Sequence, residues 1–201
     1  AEAVEQGAFA LSTGLSVAPS GYASTDEIVE LCKAVAHYEG VFYVTHAQVA
    51  PGKHIEMIEE AVEIGHRAEI PVQFSHLAII DRRVYGHGPE MLEVFERARA
   101  EGLDITYDMY PYMAAGAGLD QTIPLWAQAG ALDDYMARLR DPATRARIRA
   151  EVATGIGGLS PQWDTWVIGL ITTEANLGVV RRSVEDIARE RGVELAEAVL
   201  Q

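Results

Sequence analysis

Thr13, His46, His76 and Asp108 each close a short β-branched or aromatic run, and they follow one another at intervals of 33, 30 and 32 residues. The runs are AFALSTGL, VFYVTH, VQFSHLAI and LDITYDMYPY. Between them lie STDEIVELCKAVAHYEG, HIEMIEEAVEIGHRAEI and PEMLEVFERARAEG, whose apolar residues recur every three or four positions, the period of a helix with one buried face. Dividing an eight-unit barrel of about 250 residues by eight gives a repeat of roughly 31. Consecutive βα units also build open doubly wound sheets, but those usually carry a glycine-rich turn after the first strand. Here the glycine cluster, GIGG at 155–158, follows a helix-like stretch and reads as a loop. The spacing therefore predicts an α/β chain that forms part of a (βα)8 TIM-type barrel, with the other strands outside these 201 residues.

Punctuation within the repeat supports this reading. Ser24 and Glu27 stand three apart as a capping box, and Gly40 reads as the stop signal of the same helix. After Tyr112 the period changes, and a mostly helical insertion is expected over about 113–160. Within it Asp141 and Pro142 mark a helix start, as cap and first-turn residue. TWVIGLI then reads as another strand or a short extended segment, and SVEDIARERGVELAEAVL as helix. The chain opens and closes inside helix-like sequence, so a barrel domain incomplete at both ends is expected over 1–201, with the insertion inside it.

Charge narrows the partners. Against 16 Lys and Arg stand 30 Asp and Glu, a formal charge of −14, which repels phosphate backbones and anionic lipid. Nucleic acid and membrane surfaces are not expected partners. No apolar run reaches the roughly 18–20 residues of a membrane helix, and the opening AEAVEQGA does not read as a secretory signal; a cytoplasmic location is the expectation. The single cysteine, Cys32, is spaced from Ile28 and Val35 to lie on a helix's apolar face, as a core thiol.

The two strand-end histidines carry the chemistry. By alternation Phe42, Val44 and His46 share one face of their strand, and Val72, Phe74 and His76 one face of theirs. Neighbouring parallel strands lie about 4.7–4.9 Å apart, so imidazoles at matching heights can meet at one ion, with Zn–N bonds of about 2.0–2.1 Å. The plainer reading is that each ring is hydrogen-bonded to a nearby carboxylate; two such histidines in adjacent units favour the metal. Asp108 is a candidate third ligand or an orienting carboxylate beside it. His37, His54 and His66 are expected on helices, and His87, in VYGHGP, on a loop without a partner in register. Tyr110 and Tyr112 either line a substrate pocket or pack the barrel rim, while Trp126, Trp163 and Trp166 read as core or lid anchors.

GAFALSTGL, GYASTDEIVELCKAVAHYEGVFYVTH, VQFSHL, DMYPY and LRDPATRARI together resemble, in collinear order, the N-acyl-D-amino-acid deacylase (D-aminoacylase) family of the metal-dependent amidohydrolases. The resemblance implies a zinc-dependent barrel hydrolase acting on an amide-type C–N bond of a small molecule, and a segment running from about the fourth to the seventh strand. His46 and His76 match the metal ligands of the fifth and sixth strands. The family's early His-x-His pair, bridging cysteine and general-base aspartate have no matching position here, so no catalytic residue is assigned. The chain also departs from the family. Ala47, Gln48, Val49 and Ala50 stand where many members have Ile-Arg-Asp-Glu, and Ala78 and Val17 where lysine and tyrosine are common. A neutral Gln48 can hydrogen-bond to substrate but cannot pair with an α-carboxylate. Two other readings remain open: a noncatalytic relative that keeps the barrel as a binding scaffold, and an unrelated barrel enzyme with a phosphate site in later loops.

Overall fold

The computed structural model describes residues 1–48, 52–79, 81–155 and 163–201. Val49, Ala50 and the glycine cluster beyond Gly155 lie outside the described residues. The chain divides into two compact units, 1–112 and 113–201.

The first unit is the predicted alternation. A short helix α1 (Glu2–Glu5) precedes β1 (Ala10–Gly14), α2 (Thr25–Lys33), β2 (Phe42–His46), α3 (Glu56–Ala68), β3 (Val72–Phe74), α4 (Gly88–Ala100) and β4 (Ile105–Tyr107). The strands form one four-stranded sheet in the order β1-β2-β3-β4, every neighbouring pair parallel. Sequential neighbours joined by helical crossovers are the arrangement of consecutive barrel units. At the start of α2, Ser24 Oγ accepts the Glu27 backbone N–H at 3.2 Å, as the capping-box spacing requires. The helix stops at Lys33, well before Gly40, which instead takes φ +77 in the turn leading into β2. His37 and His54 fall in turns flanking helices, not within them, whereas His66 lies on α3.

Three helices bury one face each. Ile28, Val29 and Cys32 of α2, Ile58, Ala61, Ile64 and Ala68 of α3, and Met91, Val94, Phe95 and Ala98 of α4 pack with Tyr43, Val72, Phe74 and Ile105 of the sheet. Full burial of each large apolar side chain contributes about 1.5–3 kcal/mol, and this cluster is the unit's source of stability. Gly65 permits the close seat of α3, since a β-carbon there would come within 2.7 Å of Val72 Cγ2 and 2.8 Å of Leu103 Cδ1. Cys32 is fully enclosed, and burial pushes its thiol pKa up to about 11. Tyr43, equally enclosed, keeps its hydroxyl paired with Thr13 Oγ1 at 2.7 Å.

The second unit is helical: α5 (Leu125–Gln128), α6 (Leu132–Arg140), α7 (Pro142–Val152), α8 (Val184–Arg191) and α9 (Leu195–Leu200). Asp141 Oδ2 accepts the Thr144 backbone N–H at 2.8 Å with Pro142 opening the helix, as expected from the sequence. TWVIGLI forms no sheet strand; Val167 makes an isolated antiparallel bridge to Ser183. Trp126, Trp163 and Trp166 pack against this unit's core of Ile123, Ile148, Val152, Ile187 and Val199. An ion pair between Arg145 and Glu197 at 2.6 Å, both largely buried, joins α7 to α9. Among the described residues no helix is long and apolar enough to cross a membrane.

Candidate metal centre

The sheet register places the histidines differently from simple alternation. Tyr43 pairs with Val72, Val44 with Gln73 and Thr45 with Phe74, and the Ser75 backbone N–H continues the ladder to Thr45 O at 3.0 Å. His46 is therefore level with Ser75, and its face is that of Val44 and Gln73, the face turned away from the helices. The face of Val72 and Phe74 is the helix-covered one, so an extended His76 would point away from His46. The expected phase match is thus one residue out.

A break in the backbone brings the rings together. β3 ends at Phe74, and His76 has φ +43, a left-handed conformation that non-glycine residues seldom adopt. The turned chain sets His46 Nδ1 2.7 Å from His76 Nε2, with ring centroids 4.5 Å apart. Asp108 holds the turn in place: its Oδ1 accepts the His76 backbone N–H at 2.7 Å, and its carbonyl accepts the Leu77 N–H at 2.7 Å. Its Oδ2 accepts from Gln73 Nε2 at 2.9 Å, and Thr106 Oγ1 bonds the carbonyl oxygen of the same amide. Asp108 meets the backbone of His76 rather than either imidazole, so among the described residues it does not pair with the rings of His46 and His76.

The electrostatics fit a cation. Burial first, then the neighbouring His76, lowers the His46 pKa, which keeps the ring in the neutral form that donates a lone pair to a metal. Two nitrogens 2.7 Å apart are somewhat closer than the about 3.3 Å that two ligands span on a tetrahedral ion with bonds of 2.0–2.1 Å. The side-chain torsions of an exposed His76 and a half-buried His46 are free to supply that difference. Donor type, convergence and protonation thus suit a divalent metal such as zinc.

Of the other predicted site residues, Gln48 is exposed at the start of the loop after β2. Tyr110, half-buried, stacks on Tyr112 at 5.3 Å. Gln73 was missed by sequence reasoning; the available signal was a polar residue between two buried apolar ones in β3, on the same face as His46.

Known proteins resemble the chain in sequence over part of its length and in fold. No family model matches the chain. It is 36% identical over 121 residues to a D-aminoacylase of Alcaligenes xylosoxydans xylosoxydans, covering 60% of this chain and 24% of the relative. An N-acyl-D-aspartate deacylase of the same organism is 34% identical over 118 residues, covering 59% and 24%. The chain thus spans about a quarter of the length of these curated relatives. Among solved structures, a D-aminoacylase said to define a novel subset of amidohydrolases superposes with a TM-score of 0.66 at 25% identity, covering 98% of this chain and 33% of that one. An N-acyl-D-glutamate deacylase from Bordetella bronchiseptica, solved with zinc and a phosphonate inhibitor, gives 0.71 at 20% identity, with 98% and 34% covered, and shares the fold. Over one segment the chain is thus similar to the N-acyl-D-amino-acid deacylases (D-aminoacylases), the family that its strand-end motifs resemble.

Proposed function

We propose that the chain supplies part of the metal-binding end of a zinc-dependent hydrolase acting on an amide-type C–N bond of a small N-acylated molecule. The observation that carries the proposal is the convergence of His46 and His76 through a left-handed turn anchored by Asp108. Bound zinc supplies Lewis acidity toward a carbonyl oxygen and toward water. His46 and His76 would hold it, and Asp108 acts as a positioning residue that fixes the backbone from which His76 reaches. Gln73 braces that carboxylate, and Thr106, on the same sheet face, donates to the Gln73 amide oxygen in turn. A built and braced donor pair of this kind favours catalysis over a noncatalytic scaffold.

Specificity is proposed to differ from a plain N-acyl-D-amino-acid deacylase. Gln48 and Ala78 are neutral, so they offer a substrate hydrogen bonding or apolar contact in place of charge pairing, and Tyr110, stacked on Tyr112, is a further candidate substrate contact. The substrate class is therefore a neutral amide or cyclic ureide, met in the cytoplasm. Steady-state assays of the intact gene product test this: turnover of neutral amides or cyclic ureides should exceed that of N-acetyl-D-methionine. Rapid deacylation of N-acetyl-D-methionine with no turnover of the neutral compounds would contradict it.

A further inference from the structure

A second group of metal-ligating side chains stands in the same unit and includes none of the site residues described above. His54 lies just before α3, in the connection that follows β2, and His87 caps α4, in the connection that follows β3. Both connections leave the end of the sheet where His46 and His76 sit. His54, His87 and Glu90 each present a ligand atom, and these atoms lie within 4.8 Å of one another. His87 was expected on a loop without a partner in register; its Nδ1 lies 2.6 Å from Glu90 Oε2, and its ring centroid 5.4 Å from that of His54.

His54 is the telling member. Both of its ring nitrogens are shielded from solvent, and neither has a hydrogen-bond partner among the described residues. Ring nitrogens shut off from water without partners are costly and uncommon in a folded protein, even where, as here, the rest of the side chain is half-buried. A ligand that accepts a nitrogen lone pair resolves the deficit, and the two neighbours within reach are themselves an imidazole and a carboxylate. Two histidines and one carboxylate, with a fourth position left to water, form a donor set used for zinc.

We propose that His54, His87 and Glu90 form a second cation site, for zinc or a comparable first-row transition ion, that clips the β2–α3 connection to the start of α4. Its ligands come from two successive βα loops, so occupancy ties together segments that the sheet hydrogen bonds do not reach. His87 Nδ1 and Glu90 Oε2 are already in contact at 2.6 Å, and binding of the ion between them would open that contact. The site requires neither His46 nor His76.

Binding of zinc and of cobalt(II) to the intact gene product tests this, measured by equilibrium dialysis and by the visible absorption of tetrahedral cobalt(II). The measurement is made in a His46→Ala/His76→Ala background, so that it does not depend on the first site. One equivalent should bind there, and His87→Ala and Glu90→Gln should each weaken it by about tenfold or more, at least what loss of a supporting partner costs a metal site. Both residues are partly or fully exposed, so these variants avoid the folding risk of His54→Ala, and far-ultraviolet circular dichroism checks that the fold persists. Absence of the equivalent in the background protein, or uptake unchanged in both variants, would overturn the proposal.

Discussion

His76 concentrates the conflict between local backbone preference and the site. Its φ of +43 is a conformation that costs an L-residue with a β-carbon about 1–2 kcal/mol, and glycine would occupy it without that penalty. A histidine there indicates that the ring matters more than local stability. Replacing it separates the two: His76→Gly should be more stable to thermal or urea unfolding than His76→Ala by about 1 kcal/mol, although both lose the imidazole. Equal stability of the two variants would show that the left-handed turn is not present in solution. Asp108 belongs to the same balance, because its carboxylate holds the His76 N–H and makes the unfavourable turn persist.

At the level of elements, the order of strands and helices was legible because each carries a distinct hydrophobic period and the repeat length is nearly constant. The ends were less legible. Helix α2 stops at Lys33 although the apolar pattern runs on to Val35, which is buried in the turn that follows. The pairing of strands was out of reach, since period-two alternation assigns faces within a strand but not the register between strands. That is why His46 was read correctly as closing its strand, while the placing of His76 in a turn two residues beyond the end of β3, which makes the rings meet, and the bracing Gln73 were not foreseen. His54 escaped for a related reason: nothing in the sequence reveals that a turn residue will have its ring nitrogens shielded from water without partners among the described residues. Packing of α3 offers a test at this scale. Gly65→Val, placing a branched side chain against Val72 and Leu103, should destabilise the first unit by about 1–3 kcal/mol, read as a lowered urea midpoint with unchanged slope. An unaltered midpoint would mean that α3 does not lie so close to the sheet.

Over the whole molecule, the parallel sheet of the first unit offers one face to the helices and the other to the histidine pair, and this division assigns structure to one side and chemistry to the other. Tyr43, Thr45, Val72, Phe74 and Ile105 are enclosed on the helix side, while His46, Gln73 and Thr106 stand on the opposite one and remain partly accessible. The central claim is that His46 and His76 serve a single ion. Zinc content of the intact gene product, measured after exhaustive dialysis for the parent, His46→Ala and His76→Ala, tests it most directly. Both variants should lose the same one equivalent, and combining them should remove no more. Zinc stoichiometry unchanged in both variants would contradict the shared site.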